Sequence, residues 1–272
     1  MQDALRIDDP DDPRIAMFLN VRDRDLAGRG AGFIAEGEVV IRQLLQSRDF
    51  SARALLVAAD RLATKSELLG GVPENVPVYA AAQEVMDRIV GFHIHRGLLA
   101  FGERVAEFRP EDLLVARPRL VLGLVGIGNH DNLGGIFRNA AAFGVEAMLL
   151  DDTCCDPLYR KALRVSVGAV LKVRHARAGS GADLVTRLVE AGYAPVGLSP
   201  QGRDDIGDIG TIDRPALVLG AEGPGLPPAL LAQTRSVRID MSGGFDSLNV
   251  ATTSGIALHE LRRALGAGAF NP

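Results

Sequence analysis

Three short segments hold the residue types from which a ligand site is built. The first is Asn132-Leu-Gly-Gly-Ile-Phe-Arg138-Asn-Ala-Ala-Ala-Phe-Gly144, which follows the apolar run LVLGLVGI. Asn132 falls at or near a helix N-cap. Arg138 lies six residues on, and Ile136, Phe137, Ala140, Ala141 and Phe143 fix the helix on a sheet. A lone helical arginine is usually a solvated residue, but here it follows strand, loop and helix start, where ligands gather in α/β sheets. The second segment is Leu217-Val-Leu219-Gly220-Ala-Glu222-Gly223-Pro-Gly225-Leu226. Its glycines let backbone approach a ligand closely, and one carboxylate sits among them. A tight turn with an exposed Glu222 is the simpler alternative. The third is Ile239-Asp-Met241-Ser-Gly-Gly-Phe-Asp-Ser247-Leu248-Asn249-Val250, a strand running through a polar loop into the last helix. Ser247 and Asn249 are ordinary capping residues, and also short polar groups suited to anchoring a ligand at a helix N-terminus.

Other glycine-rich chemistries do not fit. Gly126-Ile-Gly128-Asn129-His130-Asp131 lacks the third glycine of a dinucleotide fingerprint. Gly123 to Gly128 has phosphate-loop spacing, but Asn129 stands where the phosphate-binding lysine belongs. No G-x-S-x-G elbow occurs. The adjacent Cys154 and Cys155 suggest neither a disulfide framework nor a metal site. His93 and His95 are two histidines on one strand face, too few for zinc.

The elements that must position these segments fall into two groups. From Gly32 to Val105 the chain alternates short strands and helices: FIAEG, EVVIRQLLQS, ARALLVAA, RLATKSELLGG, VPVYAA, AAQEVMDRIV and GLLAFGERV. Residues 1–31, acidic and proline-containing, read as a loose arm. Residues 106–118, AEFRPEDLLVARP, polar and with two prolines, read as a linker. From residue 119 to 272 the strands LVLGLVGI, VEAMLLD, YAPVGLS and PALVLGAEG are continuous apolar runs of parallel-sheet type, with helices between them. The expected architecture is α/β, a smaller domain ahead of a parallel-sheet domain. The chain is 272 residues and 47% hydrophobic, enough for two packed cores. It shows no secretory signal and no membrane-spanning run, so a soluble, cytoplasmic protein is expected. The net charge of −4 disfavours an overtly basic nucleic-acid binder. A local basic face would still suffice, since phosphate contacts act within roughly 8–10 Å. Tyr159 to Gly168, with Lys172, Arg174 and Arg177, is a candidate for one.

Taken in order and spacing, the three segments resemble the SpoU-type methyltransferases of the SPOUT superfamily. The matching motifs are Asn132-x-Gly134 with Arg138 and AAAFG, then LGAEGPGL, then SLNV. The resemblance covers residues 119–267. Residues 32–105, with FIAEGEVVIRQLL and Gly97-Leu-Leu-Ala, resemble the L30e-like RNA substrate-binding domain often found ahead of it. This chain departs from the pattern at Asn129-His130 (usually Asp-Pro), Asn139 (usually Thr), Asp240 (usually Pro) and the Ala-Thr-Thr after SLNV.

The resemblance implies a C-terminal trefoil-knot domain that binds S-adenosylmethionine. The backbone around Leu219, Gly220, Gly223, Ile239, Met241 and Leu248 would hold the cofactor. Asn132, Arg138, Glu222, Ser247 and Asn249 would form the catalytic set, with no metal. The reaction implied is methyl transfer to a ribose 2'-hydroxyl of RNA, ribosomal RNA first and transfer RNA as the alternative. The resemblance also implies a homodimer through the catalytic half, with Arg138 of one chain beside the cofactor of the other. The apolar content of the final helix (Val250, Ile256, Ala257, Leu258, Leu261, Leu265) is a second reason to expect one. A non-catalytic RNA-binding protein, or a methyltransferase for protein or small molecules, are the competing readings. The intact Asn132, Arg138, Glu222 and Asn249 set argues against the first, and the RNA-binding type of front domain against the second.

Overall fold

The computed structural model describes residues 4–19, 32–91, 94, 96–242 and 248–265. The chain divides into two compact units. Unit 1 comprises Met1–Glu107 and Leu158–Leu171, and unit 2 comprises Phe108–Pro157 and Lys172–Pro272.

Unit 1 contains β1 (Leu5–Ile7), β2 (Gly32–Glu36), α1 (Glu38–Gln46), β3 (Phe50–Ala58), α2 (Ser66–Gly70), β4 (Val78–Ala81), α3 (Gln83–Val90) and β5 (Leu98–Arg104). Its sheet runs β1-β4-β3-β5-β2, with parallel pairing through β1, β4 and β3 and antiparallel pairing of β5 with both β3 and β2. The N-terminal stretch is therefore no loose arm throughout. Leu5–Ile7 pairs with Tyr79–Ala81, and Ile7, Ile15 and Phe18 are fully buried in the unit's core beside Ile34, Leu56 and Met86. Burying each such side chain stabilises by roughly 1.5–3 kcal/mol, enough to hold a short strand despite acidic flanks. Asp12 accepts from the Arg14 amide at 2.9 Å and starts the turn that carries Ile15 inward. RLATKSELLGG is not one helix: two single 3-10 turns precede the short α2.

Unit 2 begins with α4 (Pro110–Val115), then β6 (Val121–Leu124), α5 (His130–Ala142) and β7 (Ala147–Leu150). The chain next enters unit 1 for α6 (Arg160–Val165) and returns for β8 (Arg174–Arg177). There follow α7 (Gly181–Glu190), β9 (Ala194–Leu198), β10 (Asp204–Asp205), β11 (Pro215–Leu219), α8 (Pro228–Leu231), β12 (Arg235–Arg238) and α9 (Val250–Ala264). Its sheet is parallel throughout, in the order β10-β12-β9-β11-β6-β7-β8. The central strands β6, β7 and β11 are buried along their whole length, as strands covered on both faces must be.

The expected linker is corrected. Residues 106–118 are not a plain linker: Pro110 occupies the first turn of α4, where its missing N–H costs nothing. Leu113 and Leu114 lie in the unit 2 core with Val121, Leu184 and Leu188. The basic run contains both paired and exposed cations. Arg160 pairs at 2.9 Å with the buried Glu36, and Arg164 lies 3.7 Å from the same carboxylate, so these cations pin residues 158–171 onto β2. Arg177 donates to the carbonyls of Asp151, Cys154 and Cys155. Arg160 is thus held by an ion pair, while Lys161, Arg164, Lys172, Arg174 and Arg177 of the same run are exposed. His93 and His95 lie outside the described residues.

Candidate active site

The C-terminal ends of β6 and β11 lie side by side at the sheet's centre, with Leu219 paired to Leu124 and the Val125 amide donating to the Leu219 carbonyl at 2.9 Å. Each strand releases one polar segment there. After β6, the side chain of Asn129, not Asn132, caps α5 by accepting from the Asp131 amide at 2.8 Å. Asn132 is consequently free of capping duty. It is buried, and its Nδ2 donates to Glu222 Oε2 at 2.7 Å. The third segment closes the group. Asn249 Nδ2 donates to Asn132 Oδ1 at 2.7 Å and approaches Glu222 Oε1 at 3.4 Å. Asn249 Oδ1 meanwhile accepts from the amides of Ala251 and Thr252, so it caps α9 as well. The capping expectation for Asn249 holds, and the other end of its amide binds Asn132.

The turn carrying Glu222 is compressed. Gly225 donates to the Ala221 carbonyl at 2.9 Å, and Gly223 and Gly225 have φ of +89° and +67°. A Cβ on Gly220 would lie 2.2 Å from the Gly225 carbonyl carbon, so no larger residue fits there. On the β6 side, Asp151 Oδ1 accepts from the Gly126 amide at 3.1 Å, and the Cys155 amide donates to the Ile127 carbonyl at 2.9 Å. Burial pushes the thiols up, to about 12 for Cys154 and about 11 for Cys155, so both are protonated at neutral pH.

Beside this network is a pocket at the C-terminal ends of β9, β11 and β12 and the start of α9. Leu219, Gly220, Gly223, Ile239, Met241 and Leu248 all line it. Sequence reasoning missed Leu198, Ser199 and Pro200 at the end of β9, and Thr253 on α9. The available signal was position, since sites in open parallel sheets lie outside the carboxyl ends of the strands. The lining is mostly apolar and backbone, which suits a flat aromatic ring with polar edges.

Arg138 does not join the network. Six residues at ~100° each carry it about 240° round the helix from Asn132. It is exposed, and it makes no hydrogen bond or ion pair with any described residue. Ser247 lies outside the described residues. Among the described residues no His, Cys, Asp or Glu cluster is arranged to hold a metal ion, and no helix is long and apolar enough to cross a membrane.

The apolar positions of α9 are largely consumed within the chain. Val250, Ala257, Leu258 and Leu261 are buried, Leu265 is half-buried and Ile256 is exposed. The four buried positions are satisfied within the chain.

Residues 119–259 match the model of a family described as the SpoU rRNA Methylase family. An uncharacterized tRNA/rRNA methyltransferase of Mycobacterium bovis is 43% identical, over 96% of this chain and 93% of its own. Among solved structures, an RNA 2'-O ribose methyltransferase is similar with a TM-score of 0.76 and 26% identity, covering 96% of this chain and 99% of that one. The SpoU methyltransferase AviRb of Streptomyces viridochromogenes, in complex with the cofactor AdoMet, is similar with a TM-score of 0.74 and 25% identity, covering 92% and 96%.

Proposed function

This chain belongs to the SpoU rRNA methylase family of RNA methyltransferases, and from that premise we propose that it methylates a ribose 2'-hydroxyl of ribosomal RNA. The family uses S-adenosylmethionine, as the AdoMet-bound AviRb illustrates. The observation that carries the reading is the Asn132–Glu222–Asn249 network beside a pocket lined by all six residues expected to hold the cofactor.

The pocket fits that group. Gly220 admits backbone close to a ligand, and Leu219, Ile239, Met241 and Leu248 supply apolar surface for an adenine ring. Bound there, S-adenosylmethionine would supply an electrophilic methyl group on a sulfonium, with a neutral thioether as leaving group. The protein's own part is position and charge. Asn132 and Asn249 fix the Glu222 carboxylate and, with it, the turn at the pocket's mouth. Arg138 is assigned to the RNA: its guanidinium would hold the phosphate next to the reacting ribose and so orient the 2'-hydroxyl. A group with pKa above ~12 is a poor base. Because Arg138 faces away from its own chain's network, it acts in the partner's site of a homodimer built through unit 2, while unit 1 grips the RNA. Ser247 completes the proposed catalytic set. The trefoil knot and a cytoplasmic location belong to the same reading.

Incubating the protein with methyl-labelled S-adenosylmethionine and separately with ribosomal and transfer RNA, then hydrolysing in alkali, tests this. Label in alkali-resistant dinucleotides from ribosomal RNA is expected. Label on bases would overturn the ribose assignment, and label in transfer RNA alone would replace the substrate.

A further inference from the structure

The N-terminal edge of the unit 2 sheet, opposite the methyl-transfer pocket, carries a second cavity. Arg117, Arg187 and Arg214 line it together with Glu111, Glu190 and Ala191. Two of the arginines stand in a repeated device. Arg117 precedes Pro118, shortly before β6, and Arg214 precedes Pro215, the first residue of the neighbouring β11. Both have left-handed backbones, with φ of +53° and +51°. The following proline makes helical backbone harder still for the residue before it. Among the described non-glycine residues only Val167 shares that region, so two of three such positions border one cavity.

Local structure explains the shape at Arg117 but not the residue. Its amide donates to the Leu114 carbonyl at 3.0 Å, which closes α4. Glycine or asparagine is the unstrained choice at that position. The chain has an arginine there, exposed, whose guanidinium makes no hydrogen bond or ion pair with any described residue. Arg214 is held rigidly. It lies 4.3 Å over the Tyr193 ring, and its Nη2 donates to the Ala191 carbonyl at 2.9 Å. Tyr193 in turn donates its hydroxyl to the Pro118 carbonyl at 2.8 Å, tying the two Arg-Pro corners together. Arg187 is ion-paired with Glu111. Three guanidinium groups thus face two carboxylates, a local positive excess on a chain of net charge −4.

We propose that this cavity is a phosphate site that holds a backbone phosphodiester of the RNA substrate. Backbone strain kept at a residue whose side chain makes no hydrogen bond or ion pair with any described residue points to a partner outside the chain. Fixed guanidinium groups are suited to phosphate oxygens. The proposal rests on the reading of the protein as an RNA methyltransferase. The five residues of β11 span about 16 Å at ~3.3 Å per residue, so the phosphate bound here is remote from the methylated ribose.

Arg117→Gly separates this site from a structural role, because it removes the cation and also relieves the left-handed backbone. Thermal melting should show equal or higher Tm, and calorimetry should show unchanged S-adenosylmethionine affinity. Affinity for ribosomal RNA in filter binding should fall several-fold, with the slope of log affinity against log salt shallower by about 0.7–0.9. Arg117→Lys should keep the slope and most of the affinity. Wild-type RNA affinity and slope in Arg117→Gly would overturn the proposal. So would ADP or inorganic phosphate binding that Arg117→Gly abolishes while RNA binding stays intact, since the site would then serve a free phosphate. A wild-type protein that binds RNA but methylates none would instead count against the methyltransferase reading, because the binding measurements do not depend on turnover.

Discussion

Asn132 carries more of the site than its size suggests. It is buried, donates to Glu222 and accepts from Asn249, so each end of its amide has one specific partner. Asn132→Asp keeps the shape but sets a second carboxylate about 3 Å from Glu222, and like charges that close repel strongly. Methyl transfer should fall at least tenfold in an assay with labelled cofactor, and wild-type turnover would reject this account. Arg138→Ala should behave differently. It should lose most methyl transfer yet bind S-adenosylmethionine as the wild type does, and mixing it with a pocket-defective Gly220→Val chain should restore activity if the sites are shared between subunits. Light scattering of the same samples checks the dimer. The thiols supply a pH test. Burial raises Cys154 to about 12 and Cys155 to about 11 from 9.0, so the folded state keeps protons that the unfolded chain releases. Their contribution to stability is full below pH 9 and is lost as pH rises toward 11–12. The urea midpoint should therefore decline above pH 9, less steeply in Cys154→Ala than in the wild type.

At the level of elements, the site depends on how α5 meets α9. A Cβ on Gly135 would come within 2.7 Å of the Ala251 Cβ, and Asn139 Nδ2 donates to the Ala251 carbonyl and to Ser254 Oγ. Asn132 and Asn249 stand on these same two helices, so the crossing sets the distance between them. Asn139→Ala should lower unfolding free energy by about 1 kcal/mol, since it removes the hydrogen bonds between the two helices while Ser254 Oγ still donates to the Ala251 carbonyl. Gly135→Val should cost cofactor affinity as well, readable by calorimetry. Much of this was legible in the sequence. Long apolar strands ending in polar or glycine-rich turns give away a parallel sheet and its ligand edge, and all three motif segments sit at that edge. What was not legible depended on partners far away in the chain. Arg160 reads as part of a basic face until Glu36, 124 residues earlier, is found beneath it. Pro110 reads as a breaker when it in fact opens α4. Asn132 reads as a cap because Asn129, three residues before it, is an equally good one.

On the scale of the whole molecule, the division at Glu107/Phe108 matters for any truncated form. A chain starting at Phe108 keeps Leu113 and Leu114 in the unit 2 core, whereas one starting at Arg119 deletes both. Losing a buried leucine typically costs 2–5 kcal/mol. The shorter form should therefore melt well below the longer one, as differential scanning calorimetry will show. The longer form should bind S-adenosylmethionine but hold RNA weakly. Equal RNA affinity in the longer form and the full chain would remove the gripping role of unit 1.

The return of residues 158–171 to unit 1 also bears on the order in which the protein can be made. A domain usually folds once its last residue has left the ribosome, the N-terminal one first. Unit 1 has to wait for α6, by which time β6, α5 and β7 have already emerged. Those elements in turn have no complete sheet to join until β11, far downstream, fills the place between β6 and β9. Nascent chains of this protein spend much of their synthesis with the unit 2 sheet half-built behind a unit 1 sheet whose five strands have all emerged. A pause in translation between residues 171 and 215 would expose the bare edge of β6, the strand that leads into Asn132.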